Sequence, residues 1–196
     1  MLLLYFLAAA LVLGLLTGGR LERLATVHLR WAPLALAGLV VQALLFSPLV
    51  ATRVGAAGIP LYVASTLAVG VALLVNARQR GLAVLALGAL LNLIVILVNG
   101  GLMPTTAEAF AVAYGAGATP TDGGFSNSFI GGPETPLLFL GDVFVLPPPI
   151  PLANVFSIGD VLIGLGGGLF LFDALRRPRE AAAVSSSRAP EAAGRG

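Results

Sequence analysis

Five apolar runs, separated by short polar gaps in which arginines are distributed very unevenly, constrain this chain more than any other feature. The hydrocarbon core of a bilayer asks for about 20 largely apolar residues per helical crossing, within a range of about 17–25. The runs cover Met1 to Thr17, Trp31 to Val50, Ile59 to Val75, Leu82 to Val98 and Ile158 to Leu175. Pro33 and Pro60 stand where a first helical turn tolerates proline. Arg20, Arg23 and Arg30 lie between the first two runs, Arg78 and Arg80 between the third and fourth, and Arg176, Arg177 and Arg179 after the fifth. On the opposite side stands only Arg53, and no Lys or Arg occurs from Gly81 to Leu175. By the positive-inside rule, the amino terminus is expected outside and the carboxyl terminus in the cytoplasm. Residues 99–156 then form an extracytoplasmic loop. No basic residue precedes the first apolar run, which reads against a cleaved signal peptide.

The composition fits that pattern. Hydrophobic residues make up 58% of the chain and charged residues 10%, where a soluble domain carries about 25% charged. Every basic residue is arginine. Their spread in small clusters is a topology signal rather than a nucleic-acid surface, so no nucleic-acid partner is expected. The absence of cysteine excludes disulfides, thiol catalysis and cysteine metal sites. His28 has no His or Cys neighbour at ligand spacing, so neither a metal nor a cofactor is expected. The expected fold is all-α: an integral membrane helical bundle with about five transmembrane helices and one long extracytoplasmic loop. Residues 1–176 form the helical domain, in the plasma (inner) membrane. Residues 177–196, low in hydrophobicity and without periodicity, read as a disordered cytoplasmic tail. Membrane lipid and an envelope protein or lipoprotein are the expected partners, and nothing in the sequence reports an oligomeric state. Gly14 with Gly18 and Gly164 with Gly168 have the small-xxx-small spacing that lets helices approach closely, a spacing that chance readily produces among 25 glycines. Gln42 and Asn92, amides within apolar runs, are expected to bond a neighbouring helix.

Function is expected in the long loop, because the rest is apolar helix and short connection. It opens with NGGLMP. Asn99, Gly100 and Gly101 signal a turn, and Pro104, following Met103, blocks continuation of the fourth run. Thr105 and Glu108 have capping-box spacing ahead of a short helix reaching Tyr114. Residues 115–136 are rich in glycine, proline and small polar residues, and read as a flexible loop. Leu137 to Leu146 is too short to span and is interrupted at Gly141-Asp142, which reads as a re-entrant or interfacial segment. Pro147 to Pro149 read as an extended connector back to the membrane.

The closing stretch is NVFSIGDVLIG. Ser157, Ile158, Gly159 and Asp160 fit a Ser-x-x-acid cap at a helix start, where a carboxylate also meets the positive end of the helix dipole, worth about 0.3–1 kcal/mol. Asp142 has no such simple account: it sits within an apolar run, with Arg53 the one basic residue on its side. Held close together, two carboxylates cannot both ionise; one then serves as base toward water and the other as acid, the arrangement for amide hydrolysis.

The succession NGGLMP, FLGDVF and NVFSIGDVLIG after four apolar runs resembles an uncharacterised bacterial membrane family, domain of unknown function 5317. That resemblance implies no activity. A second, local resemblance is to lipoprotein signal peptidases, whose catalytic aspartates lie in a VVDF-type segment and an FN-x-AD segment on the last span. Here GDVF carries Asp142 and FSIGDVLI carries Asp160, with Ser157 where that family has asparagine. The GN-x-x-DR motif of those enzymes has no counterpart. Three readings compete. The first is a binding or structural role for the loop, with Asn99, Gly100, Gly101, Met103, Pro104, Ser157 and Gly159 as binding candidates. The second is an aspartyl peptidase-like hydrolase using Asp142 and Asp160. The third is a transporter or channel subunit, which the near absence of ionisable groups within the runs disfavours. The first is the reading adopted from the sequence.

Overall fold

The computed structural model describes residues 2–120 and 126–176. The expected tail, 177–196, lies outside the described residues, as do Arg177 and Arg179. The chain is mostly helical. In order, α1 is Leu2–Leu16, α2 Ala32–Leu45, α3 Pro48–Ala51, α4 Gly58–Val75, α5 Leu82–Val98, α6 Ala107–Tyr114 and α7 Ile158–Arg176. Four strands lie between α5 and α7: β1 Met103–Thr105, β2 Ser128–Ile130, β3 Phe144–Leu146 and β4 Asn154–Phe156. Two helical stretches, Gly55–Val75 and α7, are long and apolar enough to cross a membrane, while α1, α2 and α5 are shorter apolar helices.

Glycine decides how closely the helices approach. A Cβ on Gly88 of α5 would strike the backbone of α7 at Gly159 and Ile163, and one on Gly166 would strike α5 at Leu85 and Gly81. The two helices run antiparallel with backbone against backbone. On its other side α7 meets α1, where Gly164 and Gly168 receive Phe6, and Gly14 receives Leu175. These contacts make α1 parallel to α7. A second pair, α2 and α4, closes where Gly38 faces the Ser65 carbonyl and Val69; Gln42 Nε2 donates to Thr66 Oγ1 at 3.2 Å across it. The amides thus bond neighbouring helices, as expected.

Outside these seams the helices stay apolar on faces that touch nothing. Leu13, Leu36, Leu39, Leu74 and Leu97 are all more than half exposed. Arginine-bearing connections gather at one end. Arg23 donates to the Leu175 carbonyl, the Arg30 amide to Asn76 Oδ1, and Arg80 pairs with Asp173 at 3.4 Å. At the other end the strands and α6 form a small module, tied down by Asn99 Nδ2 donating to the Pro136 carbonyl and by Tyr5 Oη donating to that of Pro151.

Several expectations need correction. The fold is not all-α: β1 pairs parallel with β2, and β3 antiparallel with β4, in register Phe144 to Phe156. These short pairings satisfy backbone groups that would otherwise be left open at the apolar boundary. Leu137–Leu146, read as a re-entrant or interfacial segment, forms a 3-10 turn at Leu138–Leu140 followed by β3. The 115–136 stretch contributes β2, so it is not a loop throughout. The prolines form a turn, Ile150 N donating to the Pro147 carbonyl at 3.1 Å, rather than an extended connector. The second run is interrupted at Phe46-Ser47, because Pro48 starts a separate turn. The cap of α6 is Thr106, whose Oγ1 accepts from Ala109 N at 3.2 Å; Thr105 is fully buried one residue earlier.

Gly88→Ala is expected to destabilise the detergent-solubilised chain by roughly 1–3 kcal/mol, since α7 backbone cannot yield as a side chain would. Gly70→Ala, with nothing within 4 Å of the added Cβ, should stay within about 1 kcal/mol of the parent. Thermal unfolding of both variants checks the pair, and equal effects would contradict the proposed seam.

Candidate functional site

The start of α7 is a capping box. Asp160 N donates to Ser157 Oγ at 3.0 Å, and Ser157 N donates to Asp160 Oδ2 at 3.1 Å. Asn92 of α5 joins this pair: its Nδ2 donates to Asp160 Oδ1 at 3.0 Å, and its Oδ1 accepts from Ser157 Oγ at 2.9 Å. Gly159 permits the contact, since a Cβ there would overlap Asn92 Oδ1. Both oxygens of Asp160 therefore accept from neutral donors.

Asp142 is held through its backbone instead. Its N donates to the Pro104 carbonyl at 2.9 Å, and its carbonyl accepts from Thr105 Oγ1 at 2.7 Å. Gly141 lets the chain pass against Pro104, whose carbonyl a Cβ would strike. The carboxyl is left over. Its Oδ1 is sealed from solvent and, among the described residues, has no hydrogen-bond partner. Burial, reinforced by the charge of Asp160, pushes Asp142 up to about 7, with the amino-terminal charge acting the other way.

Asp142 and Asp160 line one cavity of about 650 Å³. Its walls come from α6 (Phe110, Tyr114), β2 and the residues before it (Ser126, Asn127, Ser128), and β4 (Asn154, Val155), with Phe46 on one side. Tyr114 Oη donates to Asn154 Oδ1, fixing α6 to β4. Asn127 Nδ2 donates to Tyr62 Oη at 2.9 Å, and Tyr62 lies within electrostatic reach of both carboxylates. The cavity is thus aromatic on some walls and acidic at its base.

The remaining sequence candidates sit behind the site. Asn99 Nδ2 donates to the Val95 and Pro136 carbonyls. Gly100 and Gly101 have positive φ, and Gly101 faces Ile59. Met103 is in the buried cluster with Leu45, Tyr62, Val95 and Ile96, and Pro104 is fully buried. None of these lines the cavity; they hold the strand that positions Asp142. Tyr62, Asn127, Tyr114 and Asn154 were not singled out by sequence reasoning, because only β1–β2 pairing and the β3–β4 turn bring them together. Asn92 was legible as a bonding amide, though its partner was not.

The family model that matches covers residues 26–172, enclosing both carboxylates and every wall of the cavity. The chain belongs to a family of unknown function, DUF5317. No curated protein and no solved structure matches it. As a DUF5317 member, the chain has its cavity and both acids within the part the family model describes.

The raised Asp142 sets a pH dependence. Between its unfolded value of 3.8 and about 7, the folded chain keeps a proton that the unfolded chain has released. Stability is therefore expected to fall as pH rises through that window, by up to about 4 kcal/mol, and to level off above it. Asp142→Asn should lack this slope and exceed the parent in stability at about pH 8. Denaturation of the two chains across the window checks this; a slope unchanged in the variant would contradict it.

Proposed function

We propose that this chain is a five-span protein of the plasma (inner) membrane. In this reading the amino terminus is outside, the carboxyl terminus is in the cytoplasm, and the strand module covers a ligand-binding pocket at the outer boundary. Exposed leucines around the helices support immersion in lipid, since water-soluble monomers rarely expose apolar area on that scale. The arginines at the end opposite the module support the orientation. The shorter helices α1, α2 and α5 count as spans because they pack along α7 and α4, which are long enough themselves.

The observation that carries the binding role is Asp142, one carboxyl oxygen of which has no donor among the described residues, at the wall of a cavity large enough for a small molecule. Positions 99–104 serve by shaping β1, and Ser157 and Gly159 by fixing Asp160. Membrane lipid surrounds the helices, and a ligand presented by an envelope protein or lipoprotein would reach the pocket from outside.

The chain lacks cysteine, so Ser128→Cys introduces a single thiol at the cavity wall. A membrane-impermeant maleimide added to intact cells should label it, and a reporter fused after Leu146 should be active only outside. A cytoplasmic reporter would invert the orientation and remove the reading.

A second reading, an aspartyl peptidase-like hydrolase, is favoured by one observation: the two carboxyls line one cavity, Asp160 with a donor on each oxygen and Asp142 pushed up to about 7 by burial. Asp160 would act as base toward water and Asp142 as acid toward the leaving amine. On this reading Asp142→Asn and Asp160→Asn each lower cleavage of lipoprotein-type peptides by at least about a hundredfold. Cleavage persisting in either folded variant would exclude it.

A further inference from the structure

We propose that the cavity takes a ligand carrying an organic ammonium group, seated between Asp142 and Asp160 with its apolar body against Phe46 and Phe110. This rests on the binding reading above and specifies the ligand.

Charge balance comes first. Two carboxylates share the cavity, yet no Lys or Arg occurs between Gly81 and Leu175. Arg53 donates to the Leu49 carbonyl at 2.5 Å and is not among the cavity walls. The donors serving Asp160 are an amide and a peptide N–H, both neutral. Among the described residues no lysine or arginine lines the cavity, and the amino-terminal charge is a weaker influence on Asp142 than burial and Asp160, so a second buried charge is unfavourable unless a cation or a proton arrives from outside.

The missing donor is the second argument. Asp142 Oδ1 is shut off from water and accepts nothing from the described residues, while its backbone is clamped to β1 on both sides. A buried carboxyl oxygen in that state is costly unless the carboxyl keeps its proton or a cation stands near it. An ammonium in the cavity supplies the compensating charge, which acts on the enclosed oxygen through space without having to touch it.

Wall chemistry separates an organic cation from a metal. Phe46, Phe110 and Tyr114 line the space, and an aromatic ring within about 6 Å of an ammonium attracts it. A hard divalent ion wants six or more oxygens, whereas the described residues hold no group of three metal-ligating side chains. The volume of about 650 Å³ also exceeds what a bare ion fills.

Binding is then coupled to a proton. Among the described residues the titratable groups that interact electrostatically with Asp142 are Asp160 from α7, Tyr62 from α4 and Tyr114 from α6, with the amino-terminal charge acting as well, while β1 and β2 bring only neutral side chains. A cation beside Asp142 favours its ionised form, so binding expels the proton the empty site retains. Affinity rises with pH, about tenfold per unit up to roughly pH 7, and is flat above it.

The test is titration calorimetry on the full chain in non-ionic detergent. Benzylammonium is the probe, benzyl alcohol the uncharged control and Ca²⁺ the metal control. The expected result is that benzylammonium binds at least about tenfold tighter than benzyl alcohol at pH 8 and weakens below about pH 7. Heats in two buffers of different ionisation enthalpy should report proton release below about pH 7 by the unmodified chain, and Asp142→Asn should abolish the release. Equal binding of alcohol and ammonium overturns the ammonium assignment and leaves the pocket standing. So does Ca²⁺ binding that excludes benzylammonium. If no compound binds while Ser128→Cys is still labelled from outside, the ammonium assignment alone fails; if the thiol is also unreactive, the binding reading fails with it.

Discussion

Close contact between α5 and α7 organises the strand module at one end of the helices. The two backbones meet through Gly88, Gly159 and Gly166, leaving no room for a side chain. At the module end of that seam, Asn92 enters the capping box of Ser157 and Asp160. Dispersion along the seam and hydrogen bonds at its end act on the same two helices. Because α7 begins at that network, β4 and the turn before it are delivered to a fixed place. The register of β3 on β4 then follows, and Asp142 follows from β3.

Two acids of similar intrinsic strength acquire different character from this arrangement. Asp160 stands at a helix start, with donors on both oxygens and a favourable dipole. Asp142 has its backbone satisfied and its carboxyl oxygen enclosed without a donor. Burial, and after it the charge of Asp160, makes ionisation of Asp142 harder and raises it to about 7. Binding of a cation and acid–base chemistry draw on the same asymmetry. They differ in what occupies the space between the carboxyls: a positive group in one case, water and an amide in the other.

The glycine and amide content also gains a physical reading. In a helix exposed to lipid, burial of apolar surface gives little drive for association, so close packing and interhelical hydrogen bonds must supply it. Gly14, Gly164 and Gly168 serve α1 on α7, and Gly38 serves α2 on α4. Gln42 and Asn92 add one hydrogen-bonded link in each half of the bundle. Gly18, by contrast, has nothing near it, so small-residue spacing alone did not distinguish a seam from an open face.

Helix positions, the Ser157–Asp160 cap and the uneven arginines were all legible in the amino-acid order, because each depends on neighbours within a few residues or on the count of charges per gap. The break at Pro48 and the turn at Pro147–Ile150 are also local, but proline marks a stop without saying whether the chain then extends or folds back. What only the tertiary structure decided is that Asp142 and Asp160 line one cavity, together with its aromatic walls. Residues 103 and 128, or 144 and 156, pair through short strands whose period is too brief to register as a pattern, and their partners lie far along the chain. Local chemistry therefore wrote the helices and their ends. The cavity arose from long-range backbone pairing, which no stretch of a few residues encodes.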